Sequence, residues 1–217
     1  MKLNSYNNFQ FVLYLLSLKK GDHIMNTQRQ RIVQMTTLAL LIALIVLMTF
    51  TPNFGYIQTG LFSITLIHIP VIIGSAILGP LGGLVLGLTW GITSYLYALT
   101  LGTIEAMIFL NPMVSIVPRI IVGLVVSYSA LALKNVKMNN WLRFALSALI
   151  GTLTNTVLVL SAIFIFESAG LVSFNQAVSI IYTIVISTNG LLELFAAIFL
   201  VPSVISAIKR VRPNLFA

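Results

Sequence analysis

Between Arg31 and Lys134 the chain carries only two charged side chains, Glu105 and Arg119. A soluble domain is about one-quarter charged, because its surface must be solvated. This chain of 217 residues is 7% charged and 59% hydrophobic, with a mean hydropathy of +1.05. Its composition therefore predicts an all-α integral membrane protein. At roughly 20 residues per spanning helix, the length accommodates six transmembrane helices with short loops and leaves no room for a second soluble domain.

The apolar runs place those spans at Arg31–Phe50, Leu61–Leu78, Leu81–Leu101, Met113–Leu133, Trp141–Phe166 and Ala177–Ile208. Arg29, Arg31, Lys134, Lys137, Arg143, Lys209, Arg210 and Arg212 fall at the N-terminus, the fourth-to-fifth loop or the C-terminus. With six spans these regions share one side, which the excess of Lys and Arg makes cytoplasmic, so both termini are expected inside. The net charge of +8 is then explained without nucleic acid as a partner. Absence of cysteine excludes disulfides and thiolate metal sites. The first 24 residues differ: their apolar run, Phe9 to Leu18, is too short to span, and Lys-Lys-Gly-Asp-His follows where a cleavage site would need small residues. Residues 1–24 read as a non-native leader, with Met25 as the start of a single six-helix domain, 25–217.

The densest information lies in Ser63–Leu96. Gly79-Pro80 is the only turn signal between two apolar helices, and Gly79, Gly83, Gly87 and Gly91 recur every four residues on one face. Four small residues in register predict close helix packing. Ala39 and Ala43 form a second small-residue face in the first span. Either face serves packing within the monomer or docks a partner subunit.

Arg119 breaks the charge rule, lying six residues into the fourth span. One reading has it snorkelling to the outer headgroups or pairing with Glu105. In the other it holds an anion in an outward-facing pocket, where guanidinium geometry suits a carboxylate, with Pro118 loosening the local carbonyl pattern. His68, Trp90, Tyr95, Asn155 and Asn189 converge on a similar depth. Singly, each has a duller account as a helix tie or an interface aromatic. Together they resemble a small-molecule pocket. Glu193, one turn deeper, reads as structural.

No GxxxxGK[ST], HExxH, GxSxG or paired carboxylates occur. ATP hydrolysis and intramembrane hydrolysis are therefore unsupported, no metal or cofactor is called for, and a binding subunit fits what remains. The run SITLIHIPVIIGSAILGPLGGLVLGL, the Ala39–Ala43 AxxxA, the PRIIVGLV segment from Pro118 and the NGLLE segment from Asn189 resemble the substrate-binding S component of an energy-coupling factor (ECF) vitamin transporter. The resemblance covers Met25 to Arg212. It implies a multi-pass protein of a prokaryotic plasma membrane that captures a vitamin from outside. Partners would be a transmembrane T component and two cytoplasmic ATPases, with Ala39 and Ala43 as the docking face. The loop Thr51–Gly60, with Pro52, Tyr56 and Gln58, would act as a lid, and the whole S component would topple to release substrate inside. The segment IHIPVIIGSAILGP looks most like the pantothenate branch, with Arg119 facing the carboxylate. Hydroxymethylpyrimidine and pyridoxine branches share the scaffold, and a neutral ring would stack on Trp90 and Tyr95. A membrane assembly factor or small pore is the competing class, and an intramembrane enzyme a distant third.

Overall fold

In the computed structural model the described residues are 28–58, 63–100, 109–168 and 176–211. The chain divides into two compact units, Met1–Thr37 and Leu38–Ala217. In the first, residues 28–37 are helical, with the Thr36 and Thr37 hydroxyls donating to the carbonyls of Ile32 and Val33. Residues 1–24, expected to be a leader, lie outside the described residues.

Five helices among the described residues are long and apolar enough to cross a membrane: Gln28–Phe50, His68–Thr100, Pro112–Lys134, Asn140–Ala162 and Thr188–Val211. Their outward faces are as apolar as their inward ones. Leu40, Leu81, Val157 and Phe199 are each more than half exposed, a surface that lipid tails tolerate and water does not. The elements in chain order are α1 (Gln28–Phe50), β1 (Tyr56–Gln58), β2 (Ser63–Thr65), α2 (His68–Thr100), α3 (Pro112–Ser115), α4 (Val117–Lys134), α5 (Asn140–Ser168) and α6 (Gln176–Val211).

Two features between Tyr56 and Thr100 differ from the sequence reading. The second span was expected from Leu61, but helix begins only at His68. Residues just before it pair instead as an antiparallel hairpin, Tyr56 opposite Thr65 and Ile57 opposite Ile64. The physical reason lies in the chain that precedes the apolar run. Tyr56–Gln58 supplies a ladder partner, and Leu66 N–H donates to the Gly55 carbonyl at 2.8 Å, so these backbone groups are satisfied without a helical turn.

The second difference concerns Gly79. It was expected to share a packing row, yet its φ of 75° and ψ of −166° interrupt the 33-residue α2. A Cβ there would meet nothing within 4 Å, so glycine is needed for its left-handed backbone rather than for close approach. Pro80 follows, and a proline cannot donate back into the preceding turn. The turn foreseen at Gly79-Pro80 is therefore present, as a kink dividing α2 into segments 68–78 and 80–100.

The other three glycines do pack. A Cβ on Gly83 would strike the Gly123 carbonyl oxygen and Ser127 Oγ, one on Gly87 the Arg119 carbonyl oxygen, and one on Gly91 Ile116 Cα at 2.7 Å. Gly123 reciprocates against the Gly83 carbonyl. Descending numbers in α4 meet ascending numbers in α2, so the helices are antiparallel with backbones in direct contact. Ser127 Oγ bridges the seam, 3.1 Å from the carbonyl oxygens of both Ser75 and Gly79. The core beside this seam contains Ile45, Ile72, Leu86, Trp90, Val122, Val126, Ala148 and Val201.

Candidate functional site

Arg119 is the centre of the site, and the glycine seam places it. Sequence reading set it within a continuous fourth span, but the helix breaks at Ile116, giving the four-residue α3 and then α4. Asn111 caps α3, its side chain accepting from Met113 N–H at 3.0 Å. Pro118 therefore falls in the first turn of α4, where its missing N–H has no consequence. It starts a helix instead of loosening one, and Arg119 sits in that first turn.

Only 6% of Arg119 is exposed. Its Nη1 donates to the Val114 carbonyl at 2.7 Å. Its guanidinium carbon stands 5.2 Å from the Trp90 ring and 4.9 Å from the Phe109 ring. Such cation–π contacts hold the planar group without consuming its N–H donors. Nε has no hydrogen-bond partner, and Tyr56 and Glu193 lie within electrostatic reach. The snorkelling reading is not what the geometry shows, because the head group is buried among aromatics. Glu105 lies outside the described residues.

The interior holds further polar atoms without partners: both ring nitrogens of His68, Ser75 Oγ, Trp90 Nε1, Arg143 Nε, Thr152 Oγ1 and Asn155 Oδ1, of which Trp90 lies against the cation. His68, Trp90 and Thr152 are each 1% exposed. His68 is near the backbone of Thr65 and Glu193, yet neither nitrogen makes a hydrogen bond of good geometry. Buried polar atoms are nearly always paired, and leaving one unpaired costs about 1–3 kcal/mol. Several such atoms on α2 and α5, in a bundle that also buries a guanidinium, are what a site for a small polar solute requires.

Gly190 packs on Thr156, with Thr156 Oγ1 at 3.0 Å from a Cβ built there. This brings Asn189 and Asn155, the residues just before each, to one level. Tyr95 is half-buried and, five residues from Trp90, is rotated by about 140° around the helix. Tyr97, seven residues on, returns to Trp90's face and stacks on Tyr56 with ring centroids 4.8 Å apart. Tyr56 hydroxyl also lies 3.0 Å from Ser94 Oγ. On the other hairpin strand, Thr65 N–H donates to Glu193 Oε1 at 2.6 Å, so the acid anchors β2 to α6. Pro52 is exposed in the turn after α1, and Gln58 pairs with Ser63 at the far end of the ladder. Ala39 and Ala43 are exposed on α1, away from its buried residues Ile45, Met48 and Thr49.

Ser94, Phe109 and Thr152 were missed by the sequence reading. Ser94 and Thr152 carry a helical signal, lying four residues after Trp90 and three before Asn155. Phe109 has none, since the Ser115 hydroxyl holds it to α3 by donating to its carbonyl.

Residues 33–205 match the family described as "ECF transporter, substrate-specific component", and the chain belongs to that family. It is thus a component of a transporter, not an enzyme, and a multi-pass protein of the plasma membrane. Among curated relatives, the pantothenic acid transporter PanT of Lactococcus lactis subsp. cremoris (strain MG1363) is 35% identical over 164 residues, covering 69% of this chain and 80% of the relative. The pantothenate transporter PanT of Leuconostoc mesenteroides subsp. mesenteroides is 33% identical over 106 residues, 46% of this chain and 48% of the relative.

Proposed function

We propose that this subunit captures pantothenate from outside the cell and delivers it to a T component and two cytoplasmic ATPases, which supply the energy. The observation that carries the substrate choice is Arg119, a buried guanidinium whose Nε is unpartnered beside Trp90 and Phe109. A desolvated cation of this kind favours a carboxylate ligand, whereas a neutral pyrimidine or pyridoxine ring would bring it no opposite charge beyond that of Glu193. The names of the two relatives support the same choice. His68, Asn155 and Asn189 then serve the remaining polar groups of the ligand.

In this reading residues 25–217 form a six-span binding domain. The kink at Gly79 supports it by dividing the 33-residue α2, and the clustered Lys and Arg put both termini inside. The hairpin residues Tyr56 and Gln58, with Pro52 in the preceding turn, act as the lid. Ala39 and Ala43, exposed beside Leu40, Leu44 and Leu47, present the face for the T component.

Calorimetric titration of the purified protein tests the substrate. Pantothenate should bind more tightly than its uncharged alcohol analogue, and Arg119→Gln should weaken pantothenate by about 10- to 150-fold, the worth of a hydrogen bond to a charged group. An unchanged affinity for the acid would remove the carboxylate role. Tight binding of hydroxymethylpyrimidine or pyridoxine without pantothenate would replace the substrate.

A further inference from the structure

Glu193 does more on α6 than tie down a hairpin strand. It is 7% exposed and Arg119 is 6% exposed, and among the described residues no other Lys, Arg, Asp or Glu is buried. A buried charge is costly unless an opposite charge stands near it, and Glu193 lies within electrostatic reach of the guanidinium. Each is nonetheless held by a backbone group of its own. Arg119 Nη1 donates to the Val114 carbonyl at 2.7 Å, and Glu193 Oε1 accepts from Thr65 N–H at 2.6 Å.

A run of neighbouring groups also leads from the carboxylate to the cation. Thr65 is the cross-strand partner of Tyr56, and the Tyr56 hydroxyl lies 3.0 Å from Ser94 Oγ. Ser94 follows Trp90 by four residues, about one turn of α2, and the Trp90 ring stands 5.2 Å from the Arg119 guanidinium carbon. The hairpin, α2, α4 and α6 are thus linked around one cation and one anion.

A ligand that brings its own carboxylate to Arg119 sets a second negative charge against that single positive one. Like charges repel strongly in a poorly solvated interior. For unit charges about 10 Å apart, at an effective dielectric constant of about 20, the effect exceeds tenfold in an equilibrium constant. We infer that Glu193 is a built-in counter-carboxylate, which compensates Arg119 while the site is empty and competes with the vitamin's carboxylate for that cation when the site fills. This rests on the carboxylate ligand proposed above. Glu193 therefore sets affinity from outside the ligand's own contacts: it stabilises the empty protein, opposes the loaded one and speeds release of the acid. A neutral ligand feels no such competition. The arrangement suits a carrier, which must let go of what it captures.

Glu193→Gln removes the charge and keeps a side-chain carbonyl oxygen able to accept from Thr65 N–H, so the hairpin tether is retained. Calorimetry with pantothenate and with its uncharged alcohol analogue reads the two ligands separately, and thermal denaturation reads the ligand-free protein. The variant should bind pantothenate about tenfold more tightly than wild type or better, and the alcohol within about twofold of wild type. Its ligand-free melting temperature should fall, because Arg119 has lost its compensating charge. A merely structural Glu193 would move stability and acid affinity downward together. If the ligand-free variant is too unstable to purify, excess pantothenate should recover folded protein by supplying the missing charge, and the alcohol should not. With wild-type protein that binds pantothenate, three results overturn the counter-carboxylate and leave the substrate standing: a variant that binds the acid no more tightly, one that gains equally for the alcohol, or an unstable one that the acid does not recover. If wild-type protein does not bind pantothenate, the substrate reading fails and takes this inference with it.

Discussion

The seam between α2 and α4 makes a sharp quantitative prediction. In Gly83→Ala the new methyl is aimed at the Gly123 carbonyl oxygen and Ser127 Oγ. Neither can swing aside. The carbonyl belongs to the helix backbone, and Ser127 Oγ lies 2.7 Å from that same carbonyl and 3.1 Å from those of Ser75 and Gly79. The helices must therefore separate, and overpacking of this kind costs about 1–3 kcal/mol. For a chain of this size that lowers the melting temperature by roughly 2–4 °C per kcal/mol. Gly123→Ala places its methyl at the same crossing, against the Gly83 carbonyl. Once the first substitution has moved the helices apart, the second meets less resistance. The double variant should consequently be less destabilised than the sum of the singles, by about 0.5 kcal/mol or more. Thermal denaturation in detergent, followed by circular dichroism, measures all three. Additive effects, or a Gly83→Ala melting temperature equal to wild type, would refute the backbone-contact reasoning. Gly79→Ala is the contrast, since its methyl meets open space and its cost, about 1–3 kcal/mol, comes from the positive-φ backbone, so it should add to that of Gly123→Ala.

Two further outcomes follow from the hairpin and from α1. Tyr56→Ala removes the stack on Tyr97 and the contact with Ser94, worth together about 1–3 kcal/mol. Ligand dissociation measured by stopped-flow should accelerate by up to about a hundredfold, and an unchanged rate would deny the hairpin a gating role. Ala43→Trp adds bulk to an exposed face of α1, so vitamin affinity should stay within about twofold, a surface-sized effect. Co-purification of the T component and ATPases should meanwhile be lost, and their retention would put the docking face elsewhere.

Much of the fold was legible because a bilayer permits few solutions. Apolar runs of spanning length must be helical to satisfy their backbone groups, and Gly79-Pro80 could hardly be anything but a break. The hairpin was not legible, since Ser63–Ile67 continues the apolar run into α2. Only its pairing with Tyr56–Gln58 separates strand from helix. Residue types alone picked out Arg119, His68 and Trp90, because charge and ring nitrogens are rare in such a sequence. Phe109 could not be found that way: it is one phenylalanine among 13, and its place 4.9 Å from the Arg119 guanidinium is a tertiary contact that its residue type does not announce.

The sequence by itself determined that this is a helical membrane protein with a misplaced cation, since hydropathy and charge are properties of residues summed along a chain. It also predicted that a row of glycines would pack. Tertiary structure decided what that packing achieves. Gly83, Gly87 and Gly91 let α4 come into backbone contact, and that contact sets Arg119 beside Trp90 on α2. Whether a buried charge is a structural tie or a ligand's partner depends on which of its N–H groups are already used. That depends on distances between residues far apart in sequence, to which the order of amino acids gives no direct access.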